Sequence, residues 1–579
     1  MDKKTLLAFL IIAGILMLMP YYYETVGLTP SPESGAPVTT PEDQPFDYEP
    51  TASGSTLESS AGSLTEPPSN VMSSLSTTSP AATTFHVETP LYSATISSMG
   101  GGTISSFLLK NYLYKDGEYV QLINPGQNDL NPLVEFKDVN GNVALLDFPF
   151  SLVDGFSGGS TLFVDGEKEV VTFLFESPGG SITRSLTFYA DSYLIDFEID
   201  LSEISRTEIS QEQFRLVWHG GVPTTEANKK DDVQYFAAHL FQGGETTKHK
   251  GDPGKEIAST GQTGWTALRS KYFTAALIPR TASNFGSLSS FDESYSNASG
   301  ALLVPTYNMA VGLPSRSHAS CSLYLGPLKY DNIKDLNVGL EKTMNFGWSF
   351  IRGISKGVLY LLVAMHDYIP NYGVLLVIFS VAVKILVYPL TKKSYQSTKE
   401  MQAIQPLIAT MREKYGGDAQ RLNQETMKLY KEHGVNPLGG CLPMLLQMPL
   451  LFAIFTVFRT TIELRGAPFM LWIKDLSAPD TIYRFPEGFS LPIYGDQVAV
   501  LPLLMGVSIF VQQKMSGAQI QSQQKIMMYF MTVFFFLLFN NFPSGLNLYY
   551  TLFNVLTILQ QKYLVHPPSQ PALPQKPKR

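Results

Sequence analysis

One lysine and one polar stripe stand where the chain is otherwise apolar. Lys384 lies inside the run 371–390, eight residues before Lys392, or ~12 Å along a helix. A cation there either snorkels its stem toward the headgroups or serves a partner charge. The run 545–564 carries Asn547, Tyr550, Asn554, Thr557 and Gln561 at offsets 0, 3, 7, 10 and 14, one helical face that is polar from end to end. Gln447 sits in a third run, between Pro443 and Pro449. Amides and hydroxyls on helices can simply bond helix to helix. Five on one face, with another run's amide and a buried cation, suit a wet cavity lined by several helices. The eight histidines include no i, i+4 pair, and Cys321 and Cys441 are far apart, which argues against a metal centre. Gly155-Phe-Ser157-Gly-Gly159 spells a nucleophile elbow, but turn and strand residues follow where a helix is required, so it is read as chance.

The elements that must position these residues follow from composition. Of 579 residues, 44% are hydrophobic and only 16% charged, below the quarter usual in soluble domains. Apolar runs at 371–390, 438–462, 498–513, 526–542 and 545–564 each approach the ~20 residues that a membrane-crossing helix needs. Residues 1–23 hold Lys3 and Lys4, an apolar run and Tyr21, Tyr22 and Tyr23. Bulky tyrosines at the cleavage position favour an uncleaved signal-anchor. Residues 24–82 carry eight acids and no Lys or Arg, which accounts for the whole net charge of −8. This Ser/Thr/Pro-rich segment is expected to be a disordered tether, and the acidic balance argues against a specific nucleic-acid partner. From 83 to 340, short alternating stretches between Gly, Asn and Asp turns predict an antiparallel β-sandwich or barrel. Residues 341–370 include a run with Arg352 and Lys356 on one face, which suits an amphipathic helix in the interface.

Parity sets the topology. The segment 391–437 holds eight Lys/Arg, among them Lys392, Lys393, Arg412, Lys414 and Arg421, and therefore belongs in the cytoplasm. One span, 371–390, separates it from the sandwich, which lies outside. The loop 463–497 has three cations against five acids and fits the outside, and the basic tail 565–579 returns to the cytoplasm. Met401, Ile404, Leu407, Ile408 and Met411 predict one helix of a cytoplasmic hairpin. Gly416-Gly417 breaks it, Asp418 caps a second helix to His433, and Gly434 stops it. This basic hairpin is expected to dock partners. Eleven of nineteen methionines lie between Lys384 and Met531, including Met444, Met448, Met505, Met527 and Met528. Flexible thioethers suit surfaces that accept many apolar partners.

TyrProLeuThrLys (388–392), AsnProLeuGlyGlyCysLeuProMetLeuLeuGlnMetPro (436–449), AlaProPheMetLeuTrpIleLysAspLeuSer (467–477) and PheProSerGlyLeuAsnLeuTyrTyr (542–550) resemble the YidC/Oxa/Alb family of membrane insertases. TrpThrAlaLeuArgSerLysTyrPhe (265–273) and LeuTyrLeuGlyPro (323–327) resemble the large periplasmic domain of its Gram-negative members. The resemblance implies a membrane α-helical bundle, a five-helix insertase core plus the signal-anchor, with an extracytoplasmic all-β supersandwich. It implies a groove open to cytoplasm and lipid whose cation, usually Arg in the family, is Lys384 here. It places substrate contacts at Met448, Leu451, Tyr549 and Tyr550. The implied partners are nascent inner-membrane proteins, the Sec translocon, the lipid bilayer and, weakly through hairpin and tail, the ribosome. The alternatives are a secondary transporter, for which no internal repeat is seen, and a membrane-anchored sugar-binding enzyme, which would not need the 547–561 stripe.

Overall fold

The computed structural model describes residues 81–564 except 125–129, 138–142, 154–158, 178–179, 205–212, 252, 298–299, 316–317, 348, 416–417, 436–441, 487–488, 490, 492–493 and 516–521. The signal-anchor, most of the tether, Ser157 and the basic tail lie outside the described residues. So do the side chains of Met448 and Lys393.

Alternation of apolar and polar residues builds three sheets of five, nine and six strands around one core. Strand Gly180–Tyr189 shows the rule. Ile182, Arg184, Leu186 and Phe188 point inward while their neighbours are half-buried. Among the described residues, all strand pairings are antiparallel except that of Thr84–Glu88 with Thr161–Phe163. The latter strand directly follows Gly159, where a nucleophile elbow would need a helix. Arg184 is the one cation in its row. Its guanidinium donates to the carbonyls of Gly100 (2.5 Å) and Pro132 (3.0 Å) and lies 4.9 Å from the Phe197 ring. It thereby holds the Gly100–Gly102 turn, whose positive φ angles favour glycine.

The sandwich leads through a 3-10 turn, Leu340–Thr343, into the helical part. Helix α1 (Ser349–His366) buries Ile351, Ser355, Val358, Leu359 and Leu362 on one face and exposes Phe350 and Tyr360 on the other. Helix α2 (Tyr372–Ala403) is capped by Asn371, whose side chain accepts from the Val374 amide at 3.1 Å. It continues past the apolar run for 32 residues, with Pro389 inside it. Proline has no amide to give to the carbonyl four residues back, so α2 lacks the bond at Ile385. Helix α3 (Gln405–Tyr415) begins after a break at Ile404. The single helix expected over Met401–Met411 is thus divided, because Pro406 disfavours helical backbone at Gln405 and suits a first turn. Helix α4 (Ala419–Glu432) has Asp418 as its cap, accepting from the Arg421 amide at 3.0 Å, and ends before Gly434 at φ +65°.

Helices α5 (Leu442–Thr460), α6 (Val500–Met515), α7 (Ser522–Phe539) and α8 (Ser544–Leu559) complete the bundle. Among the described residues, the segment Tyr372–Pro389 of α2 alone is both long and apolar enough to cross a membrane unaided. The other four helices have 16 to 19 residues, about 24–28 Å at 1.5 Å per residue.

Sandwich and bundle meet at a charged seam. Asp231 accepts from Lys271 and from Arg459 near the end of α5, each at 2.7 Å. Asp232 accepts from the backbone amides of Thr225 (2.7 Å) and Lys271 (3.1 Å). Arg465 pairs with Glu226 at 2.7 Å and donates to the Leu113 carbonyl at 3.0 Å. Burial alone would raise the Asp231 carboxyl, but Lys271 and Arg459 hold it below its usual value. Burial alone would lower Lys271; Tyr272 and Asp231 outweigh it and raise that ammonium. The segment 265–273 joins the same seam, with Trp265 donating to the Val338 carbonyl at 3.1 Å and Arg269 to the Thr343 carbonyl at 2.7 Å.

Candidate groove between helices α2 and α8

Lys384 is 9% exposed and donates to Thr557 Oγ1 at 2.7 Å. Its ammonium stands 4.4 Å from the Phe553 ring centroid and 5.9 Å from that of Tyr395. These aromatic faces are favourable for a cation. Among the described residues, no carboxylate pairs with it. Thr557 donates its hydroxyl to the Phe553 carbonyl at 2.7 Å, which leaves a lone pair to accept from Lys384. The lysine opens onto a groove of about 460 Å³. Val381, Lys384, Ile385 and Tyr388 of α2 form one wall. Leu556, Leu559, Gln560 and Tyr563 form the other. The walls are mostly apolar, with the ammonium and one amide set into them.

The polar stripe of α8 divides by depth. At its start Asn547 is fully buried and donates to the carbonyls of Phe539 (3.1 Å) and Phe542 (3.3 Å), so it satisfies the end of α7. Tyr549 is buried among Phe379, Phe458 and Phe553. Tyr550 donates to the Leu451 carbonyl at 3.4 Å, joining α8 to α5. Asn554 donates to Ser508 of α6 at 3.1 Å. Only the last third reaches Lys384. Thr557 bonds it directly, and Gln561, with Thr557, hydrogen-bonds the Tyr395 hydroxyl. Gln447 is half-buried on α5, with no hydrogen bond to Lys384 or the stripe among the described residues.

Three residues at this site escaped the sequence reading. Tyr395 and Thr391 extend the Lys384 face of α2: Lys384, Tyr388, Thr391 and Tyr395 follow one another at steps of 4, 3 and 4. That spacing is as regular as the α8 stripe and could have found them. Gln560 lies three residues after Thr557, with its amide still in the α-helical bond to the Leu556 carbonyl, so the same spacing reaches it. It is 3% exposed on the groove wall and donates to Thr391 at 3.4 Å, and a π-helical turn runs from it to Leu564. Of the hairpin cations, Lys392, Arg412, Lys414 and Arg421 are exposed. Lys414 and Arg421 lie 5.2 Å and 5.3 Å from the Tyr415 ring, on either side of the helical break.

Comparison with known proteins decides the family. The 60Kd inner membrane protein family matches residues 364–570, and the YidC periplasmic domain family matches 84–358. A protein of Pelodictyon phaeoclathratiforme, named membrane protein insertase YidC, is 37% identical over 492 residues, covering 83% of this chain and 82% of that one. The chain belongs to the YidC family. A YidC of Chlorobium limicola is 38% identical over 493 residues, with 83% and 82% covered. A solved YidC insertase with its first transmembrane domain resolved aligns over 82% of this chain and 91% of its own, at 19% identity and a TM-score of 0.35. As in the family, the β-rich part is a periplasmic domain and the chain is a protein of the inner membrane.

Proposed function

We propose that this chain inserts membrane proteins, and that the groove between α2 and α8 receives their polar segments. It is an insertase and not an enzyme, since its work is transfer between solvents with no bond made or broken. The observation that carries this reading is Lys384. A nearly buried ammonium donates to one neutral hydroxyl, has no carboxylate beside it among the described residues, and borders an apolar groove. Such a charge is costly in a membrane, so its retention points to a passenger that supplies the counter-charge. Moving an acidic segment into hydrocarbon is opposed by desolvation of each charge and of each unpaired backbone group. The groove shortens that path, and its apolar walls then guide the hydrophobic flank toward lipid.

In this reading both termini are cytoplasmic and the chain spans the membrane six times. The exposed cations of the hairpin meet the ribosome weakly, and the bundle works alone or beside the Sec translocon. Leu451, half-buried on α5, lines the route taken by the apolar flank, which Tyr549 and Tyr550, both buried, meet only as the helices part.

The test uses proteoliposomes and two small substrates that differ only in the acidity of the translocated segment. A carboxylate ~4 Å from Lys384 gains at most ~4 kcal/mol at an effective dielectric of ~20, and hydration removes much of it. Lys384→Ala should therefore slow the acidic substrate by about tenfold, or ~1.4 kcal/mol, and the neutral one much less. Lys384→Arg should remain close to the parent, and Lys384→Glu should fall below Ala. Equal rates for Lys384 and Ala on both substrates would refute the groove-cation role.

A further inference from the structure

The periplasmic segment between α5 and α6 exposes a group of large apolar side chains. Met470, Leu471 and Trp472 form its tip, at 52%, 82% and 36% exposure, and Ile482, Tyr483 and Phe489 are half-exposed or more beside it. Contiguous exposed apolar side chains of this kind mark an interaction surface.

The tip is held rather than slack. Phe469 packs on the first turn of α2 so closely that a Cβ on Gly373 would strike its ring. The amide of Phe469 donates to the Ile473 carbonyl at 3.0 Å, and Leu476 donates to Ala467 at 2.9 Å. Asp475 accepts from Gly466 (3.0 Å) and Ser477 (2.8 Å). Trp472 donates to Asp480, which also accepts from the Val500 and Leu501 amides at the start of α6. The start of α8 is tied in through Gly545 N donating to Leu476 at 2.9 Å. At the apex Leu471 has φ +60°, a left-handed backbone that leucine rarely adopts. Ile473 turns inward and is buried, while Leu471 is thrown outward.

The position names the occupant. The loop is stitched to the starts of α2, α6 and α8, the ends at which these helices leave the bilayer on the periplasmic side. A side chain thrown out there stands at headgroup depth, continuous with the lipid-facing bundle. Trp472 and Lys474 give the tip the aromatic-and-cation composition of an interfacial belt. We propose that Met470, Leu471 and Trp472 insert into the periplasmic leaflet as a rigid lipid anchor that fixes the depth of the bundle. The anchor does not depend on the groove or on its cation.

The full chain is tested with Cys441→Ser, leaving Cys321, which is fully buried and unavailable to label. Leu471→Cys carries an NBD fluorophore in phosphatidylethanolamine/phosphatidylglycerol vesicles, with Met470→Cys as a second position if Leu471→Cys fails to accumulate. Glu256→Cys, on an exposed strand of the sandwich, is the aqueous reference. The expected result is quenching by shallow doxyl-lipid and at least severalfold weaker quenching by iodide than at position 256, with iodide present on both sides. Iodide quenching equal to the reference, without lipid quenching, would overturn the anchor. Shielding from both quenchers would assign the tip to a contact between copies of the chain and would equally overturn it.

Discussion

Replacing Asp231 with asparagine should loosen the sandwich from the bundle without unfolding either. The carboxylate receives two cations at 2.7 Å, Lys271 from the sandwich and Arg459 from α5. Lys271 is 5% exposed, whereas Asp231 and Arg459 are 22% and 23% exposed at their side chains. Removing one member of a fully buried pair costs about 3–5 kcal/mol. Solvent at two of the three groups reduces this, and asparagine retains one acceptor, so about 2 kcal/mol is expected, roughly thirtyfold in a local opening equilibrium. The cost falls on the seam because the sandwich core is made by other residues. Hydrogen exchange should therefore accelerate in 225–235 and 265–273 and stay unchanged in strand Gly180–Tyr189. The pH dependence has a definite sign. The Asp231 carboxyl is held below its ordinary value, so its contribution is present at neutral pH and is lost as pH falls below about 4. The Lys271 ammonium is raised, so its share is lost only in strong alkali. The asparagine variant should lack the acid limb. Unchanged exchange in both segments, or a coupling under about 0.5 kcal/mol in an Asp231→Asn/Arg459→Gln cycle, would refute this account.

At the hairpin end of the groove, Tyr395→Phe removes the hydroxyl shared by Thr557 and Gln561. It should cost about 1 kcal/mol, seen as faster exchange at the end of α8, with insertion of a neutral substrate nearly unaffected. Burial pushes the Glu463 carboxyl up to about 7, so its favourable contribution is full below the ordinary carboxylate value and is lost as pH rises through 7. The thermal unfolding temperature of the parent should therefore fall between about pH 4.5 and pH 7 and level off above, and Glu463→Gln should flatten that change. Asp418→Ala removes the cap of α4 and should fray its first turn by about 1 kcal/mol, measurable by exchange at Arg421 and Leu422 with the bundle unaltered.

The sequence disclosed what is local. The start of α4 at Asp418 and its stop at Gly434 follow from side-chain caps and left-handed glycine. The alternating strands follow from one buried face. Lys384 and Thr557 stand out separately in the sequence, and their meeting across 173 positions follows from two helices that each turn a polar row inward. What stayed hidden depends on partners distant in sequence or on local departures from ideal geometry. Arg459 and Asp231, 228 residues apart, read as ordinary charges until folding makes them a pair. Gln560 reads as one more polar residue near the end of α8 until folding sets it against Thr391, 169 positions away. Asn547 fitted that stripe perfectly, yet it serves the end of α7, since periodicity reports which way a side chain points and not what it meets.

Pro389 divides α2 into two arms with different loads. The upper arm holds Lys384 and is packed among the helices; the lower arm carries Tyr395 and leads into the hairpin. The backbone bond missing at Ile385 leaves α2 one continuous helix whose ladder is weakest about one turn past the lysine. Tyr395, held by Thr557 and Gln561, ties the lower arm to the end of α8 across that weak point. If the groove carries cargo as proposed, a pull on the hairpin would strain the Tyr395 bonds before it shifted the cation.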